Sequence, residues 1–135
     1  MANFDPVTGW VIDQLLADTN VNASVAGRIY RGNIHTLTPN PTYPLITLER
    51  PEPGFYDLHV PVEFYTLTIT VYSSSSADEA YRLMSYITPK LRLMTEADDP
   101  VRWVIRPITS AFDDFDEKGE RILLVSQDFL VQQIG

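Results

Sequence analysis

Residues 62–93 of this 135-residue chain constrain its fold more than any other stretch. From 62 to 72 the odd positions Tyr65, Leu67, Ile69 and Val71 are apolar, and the even positions between them are Thr66, Thr68 and Thr70. A period of two in β-branched and aromatic residues predicts a half-buried strand, one face in a core and the other lined by threonines. Eleven residues is long for a strand, which suits a central member of an antiparallel sheet or a long hairpin arm. Four serines follow, and Ser76 with Glu79 three positions later fits a capping box. Ala80, Leu83, Met84, Ile87 and Leu91 then recur at helical spacing, with Tyr81 and Tyr86 at the edges of the stripe. Pro89 predicts a kink or break near Thr88.

The remaining segments are read as what packs on this pair. Asp5 and Pro6 read as a helix cap and first helical position, with Val7, Trp10, Val11 and Leu15 on one face up to about Asp18. Residues 22–27 read as one more helical turn or a plain loop, Asn22 capping it and Gly27 ending it. A short strand is predicted at 28–31. Six of the ten prolines then lie between 39 and 61. They predict an edge strand at 43–50 with extended arms, and the 51–61 loop is long enough to project.

Beyond the helix, residues 96–100 read as an acidic turn and 101–108 as a strand. In that strand Val101, Trp103 and Ile105 share one face and Arg102, Val104 and Arg106 the other. Residues 113–119 read as a charged loop closed by glycine. A last strand at 121–133 has Leu123, Val125, Phe129 and Val131 on one face. Two sequential strands joined by a polar loop pair most simply as a hairpin. The expected fold is therefore α+β: a mainly antiparallel sheet with an N-terminal helix and one central amphipathic helix on one face. The length suits a single domain, residues 1–135, burying roughly two-thirds of its unfolded surface.

Composition narrows the function. A net charge of −8 disfavours a grip on phosphate backbones. The absence of cysteine excludes disulfides, thiolate nucleophiles and cysteine-ligated zinc. No signal peptide or bilayer-length apolar run appears, so no membrane partner is expected. His35 and His59 lack ligating partners at a suitable spacing, and no nucleophile elbow or phosphate-binding glycine loop is present. No catalytic residue, metal or cofactor is predicted. Asp113, Asp114, Asp116 and Glu117 depart from the calcium-loop pattern and read as a solvated hairpin loop, or as the lining of an acidic channel if copies form a ring. Phe112 and Phe115, set among them, are either tucked beneath the hairpin or offered to a partner. Pro51, Glu52, Pro53, Phe55 and Tyr56 form the second candidate surface.

Four places in the chain resemble the tail terminator (tail completion) proteins of long-tailed bacteriophages and the related minor tail proteins. They are the N-terminal helix, Gly27-Arg28-Ile29-Tyr30, Tyr43-Pro44-Leu45-Ile46-Thr47-Leu48, and the strand from Leu67 leading through the serines into the helix. The resemblance implies a hexameric ring that caps the tail tube, ends its polymerisation and supplies the joining surface to the head, with no catalytic residue. Implied partners are further copies of the chain, the tail tube protein, a head–tail connector or neck protein, and genomic DNA that passes through without specific binding. The implied location is the head-proximal end of the virion tail, reached through assembly in the host cytoplasm. Two alternatives stand beside it: a head-side neck (head closure or connector) protein, and a small hydrolase or ligand-binding domain using His35 or His59 with the acidic loop.

Overall fold

A computed structural model describes residues 5–32, 41–53, 62–91, 94–98, 101–117 and 119–134. In chain order the elements are α1 (Asp5–Ala17), α2 (Thr19–Val25), β1 (Ile29–Arg31), β2 (Leu45–Pro53), β3 (Val62–Ser73), α3 (Ala77–Leu91), β4 (Met94–Asp98), β5 (Val101–Glu117) and β6 (Glu120–Ile134). The strands form one six-stranded sheet in the order β1-β2-β3-β6-β5-β4. All neighbours are antiparallel except β1 and β2, which run parallel. This is the expected α+β arrangement.

The alternation in β3 is realised. Leu67, Ile69 and Val71 are buried against α1, α2 and α3, together with Ile46 and Leu48 of β2 and Val125, Phe129 and Val131 of β6. The helices contribute Val11, Leu15, Val21, Val25, Ala80, Leu83, Met84, Ile87 and Leu91 to the same core. All three helices therefore pack on one face. Tyr86 packs half-buried at its edge, whereas Tyr81 is 51% exposed. On the other face Leu45, Tyr72 and Ile122 make a small second cluster, and Thr47 and Thr70 are buried between them and the rest of the sheet. The threonine face is thus drier than alternation alone suggested.

Local chemistry explains the junctions. The Glu79 amide donates to Ser76 Oγ at 3.1 Å, one half of the expected capping box. The other half is displaced: buried Ser73 donates its hydroxyl to Glu79 Oε1 at 2.7 Å and accepts from the Ser75 and Ser76 amides at 3.1 and 3.2 Å. One serine hydroxyl therefore satisfies the turn from β3 into α3. Pro89 does not break the helix. It lies in the last turn of α3, where a missing amide forfeits one bond to the carbonyl of residue 85 and its ring points to solvent. The helix packs on β3, β6 and β5 and so carries the chain across the sheet to β4 at the far edge, a crossover rather than a link between adjacent strands.

Three further expectations are corrected. The second helix begins at Thr19 and is capped by Asp18, whose Oδ1 accepts from the Val21 amide at 3.0 Å. Asn22 sits inside this helix and its Oδ1 accepts from the Gly27 amide at 2.8 Å. Left-handed backbone at Ala26 (φ 49°) and Gly27 (φ 79°) ends it. Second, β2 is not an edge strand, because β1 pairs along its outer side. Pro51 and Pro53 extend β2 rather than opening a loop; their lost amides are tolerated next to a register shift between Glu49 and Glu52. Third, Glu96 and Asp98 belong to the strand β4, paired with Trp103 and Val101, and not to a turn; the rest of the expected acidic turn, residues 99 and 100, lies outside the described residues.

Asp18 also approaches Lys90 Nζ of α3 at 3.6 Å, tying two helices together. Substituting Asp18→Ala is expected to cost about 1 kcal/mol, mostly through the lost cap, since a partly exposed ion pair adds little. A shift in the urea midpoint without a change in slope checks this.

Candidate interaction surface

The β5–β6 hairpin is the feature that most changes the functional reading. The acidic run is not a loop. Asp113, Asp114, Phe115, Asp116 and Glu117 pair in unbroken register with Leu124, Leu123, Ile122, Arg121 and Glu120, which leaves two residues, 118 and 119, for the turn. Gly119 supplies the positive φ of 85° that so tight a connection requires. Acidic residues are poor strand formers alone, but here Asp113 and Asp114 pair with Leu124 and Leu123, which are apolar and held in turn by β3.

Strand geometry then sorts the run by parity. Phe112, Asp114 and Asp116 share the helix-side face with their partners Val125, Leu123 and Arg121, whereas Asp113, Phe115 and Glu117 lie on the opposite face. Arg121 reaches diagonally to Asp114, its Nε 2.7 Å from the carboxylate. The two phenylalanines separate as well. Phe115 is half-buried in the second cluster, edge-on to Tyr72 with ring centroids 6.2 Å apart. Phe112 is 43% exposed and stacks flat on Tyr81 of α3 at 5.6 Å, making an aromatic pair open to solvent. Tyr81 was not singled out from the sequence as a surface residue. Its place at the margin of the helical stripe was the available signal.

The hairpin tip is held by Tyr43, which donates its hydroxyl to Glu117 Oε2. Burial, and then the Glu117 carboxylate, push the Tyr43 phenol well above its ordinary value of 10.0. A raised phenol pKa means that the folded state holds this proton where the unfolded chain releases it. The associated stability is present in full below pH 10 and is lost as the pH rises above it. Tyr43→Phe is expected to cost about 1–2 kcal/mol at neutral pH and to flatten the alkaline fall of the melting temperature. A parallel fall in both proteins between pH 9 and 11 would contradict this.

Of the second candidate surface, Pro51, Glu52 and Pro53 lie in β2, and Phe55 and Tyr56 are outside the described residues, as are His35 and His59. The side chains of Arg102, Trp103 and Arg106 likewise lie outside them. Among the described residues no three His, Cys, Asp or Glu side chains converge as a metal site would require, and no helix is long and apolar enough to cross a membrane.

The architecture has a solved counterpart in a structure described as the virion of a native gene transfer agent (GTA) particle. One of its chains superposes with a TM-score of 0.74, spanning 93% of this chain and 92% of that one. The two chains share a fold. Their sequences are only 16% identical, so the correspondence lies in the order and packing of elements rather than in shared side chains. Neither protein-family models nor curated protein sequences match the chain.

Proposed function

We propose that this chain is a structural virion protein of the tail terminator class: a single-domain subunit whose six copies form a ring that caps the tail tube, stops its growth and joins it to the head. The observation that carries the reading is the fold shared with a chain of a virion particle over nearly the whole length of both proteins. The sequence resemblance to tail terminators supplies the finer placement, at the head-proximal end of the tail, with the tail tube protein on one side and a connector or neck protein on the other. The protein would act without catalysis, through its surfaces.

The charge distribution supports a passage for DNA. By register Glu49, Glu52, Asp113, Glu117, Glu120 and Asp128 fall on the helix-free face, against Arg102 and Arg106, which leaves an acidic excess there. Turned toward the axis of a ring, that face repels phosphate and lets the genome slide, and a net charge of −8 per copy acts in the same sense. The exposed Phe112 and the strand end from Pro51 to Pro53, continuing toward Phe55 and Tyr56, are then contact surfaces. Removing the gene tests the proposal. Tails of abnormal length, whether or not they also fail to join heads, are expected, whereas normal infectious particles would refute it. Tails of normal length that stay headless would move the protein to the head-side neck.

A further inference from the structure

Cross-strand register places the two edges of the sheet that are open among the described residues at one level. Ile29 aligns through Ile46, Val71 and Val125 with Phe112; Tyr30 aligns through Thr47, Thr70 and Ser126 with Ala111; Arg31 aligns through Leu48, Ile69 and Gln127 with Ser110. On one side β1 is the terminal strand. On the other, β4 covers β5 only from Val101 to Ile105, so among the described residues Ser110, Ala111 and Phe112 form the outer row. Tyr30, Arg31, Ser110, Ala111 and Phe112 are all exposed. The single parallel step between β1 and β2 also fixes direction: it makes β1 run antiparallel to β5, whereas five strictly alternating strands would leave them parallel.

We infer that β1 of one copy adds to the β5 edge of the next as an antiparallel strand, Tyr30 opposite Ala111, so that neighbouring sheets become continuous around the ring. This rests on the ring proposed above and names the contact that closes it. A rotation about an axis along the strands preserves strand direction, and two edges at one height join without axial rise. Repeated addition therefore closes instead of growing into a filament.

The side chains suit a second copy as occupant. In this register Ile29 meets Phe112 and its stacked partner Tyr81, and Arg28 falls opposite Asp113. An acidic β5 edge discourages indiscriminate strand pairing, but β1 is the basic edge of the same sheet. Three paired rows fall short of the roughly 1,000 Å² typical of a stable free complex, so the contact forms in the assembled particle or at high protein concentration.

Disulfide trapping tests the register, because the chain contains no cysteine. Residues facing across antiparallel strands have Cβ atoms about 4.5–5.5 Å apart, close enough for a disulfide once the pair adjusts slightly. Within one chain Tyr30 and Ala111 are four strand spacings, roughly 19 Å, apart and cannot join. Mild oxidation of particles carrying Tyr30→Cys with Ala111→Cys is expected to give a ladder of linked multimers on a non-reducing gel. Arg31→Cys with Ser110→Cys should give the same ladder and serves if the first pair fails to fold. Neither single variant should ladder, nor should the out-of-register pair Tyr30→Cys with Asp116→Cys. Particles that contain the variants but yield only monomer from both matched pairs would overturn the inference, as would equal laddering from the mismatched pair. A ring visible in such particles would leave the proposed function standing; absence of the protein from particles would remove both.

Discussion

Replacing Leu83 by aspartate is expected to leave no folded protein. Leu83 is fully buried between α3 and the sheet, in the cluster that also holds Leu67, Ile69 and Phe129. The substitution removes the apolar contacts, worth about 2–5 kcal/mol in leucine truncations. It also places a carboxylate where no described basic side chain is buried with it, at a cost of several kcal/mol whether the group stays charged or takes up a proton. Together these approach the whole stability of a domain this size, about 5–15 kcal/mol. Far-ultraviolet circular dichroism should show no cooperative melt. Leu83→Met, which nearly conserves volume, should cost less than about 1.5 kcal/mol. A soluble aspartate variant melting like the parent would mean that α3 is not seated on the sheet as described.

Phe112→Asp should do the reverse, leaving the fold intact and impairing assembly. Phe112 is exposed, and its loss removes one stacked pair worth about 0.5–1.5 kcal/mol. On the proposed ring contact, however, its place on the β5 edge would put a new charge into every interface. A penalty of about 1.4 kcal/mol is a tenfold loss at a single contact, and closure repeats it at each interface. Particle yield should therefore fall by at least tenfold while the melting temperature moves by a few degrees. Phe115→Ala makes the contrast: that ring packs edge-on to Tyr72 in the second cluster, so about 2–3 kcal/mol of stability should go, with assembly reduced only in proportion. Equal effects at the two phenylalanines would contradict the sorting of this strand by parity.

Both outcomes bear on what a sequence of this kind reveals. The strand and helix of residues 62–93 were legible because period two and period 3.6 are local signals, each carried by four or five apolar residues. The acidic hairpin was misread because its strand character comes from its neighbour: Leu123 and Leu124 impose pairing on aspartates that have little β preference themselves. The turn signal lay in Gly119, and taking it as the centre of a two-residue connection would have drawn both strands out to their ends. Prolines at 51 and 53 suggested an edge, but the strand that covers β2 is a three-residue segment arriving from far back in the chain, a tertiary fact. The alternative roles left open for Phe112 and Phe115 divide because the two lie an odd number of positions apart, three, on an alternating strand, which becomes visible only once the segment is known to be extended. That β1 and the outer row of β5 lie at one level follows from register summed across four pairings, and no local pattern encodes it.

On the proposed function, this fold serves as a ring at the head-proximal end of a virion tail. Electron microscopy of assembled particles, with the chain fitted into the density, tests it most directly because copy number and axial position emerge together. Six copies around the DNA path, between the last ring of the tail tube and the neck, are predicted, with helices outward and the threonine face of β3 toward the axis. A particle that holds the chain at the distal tip or within the capsid shell, or that lacks it altogether, would contradict the claim.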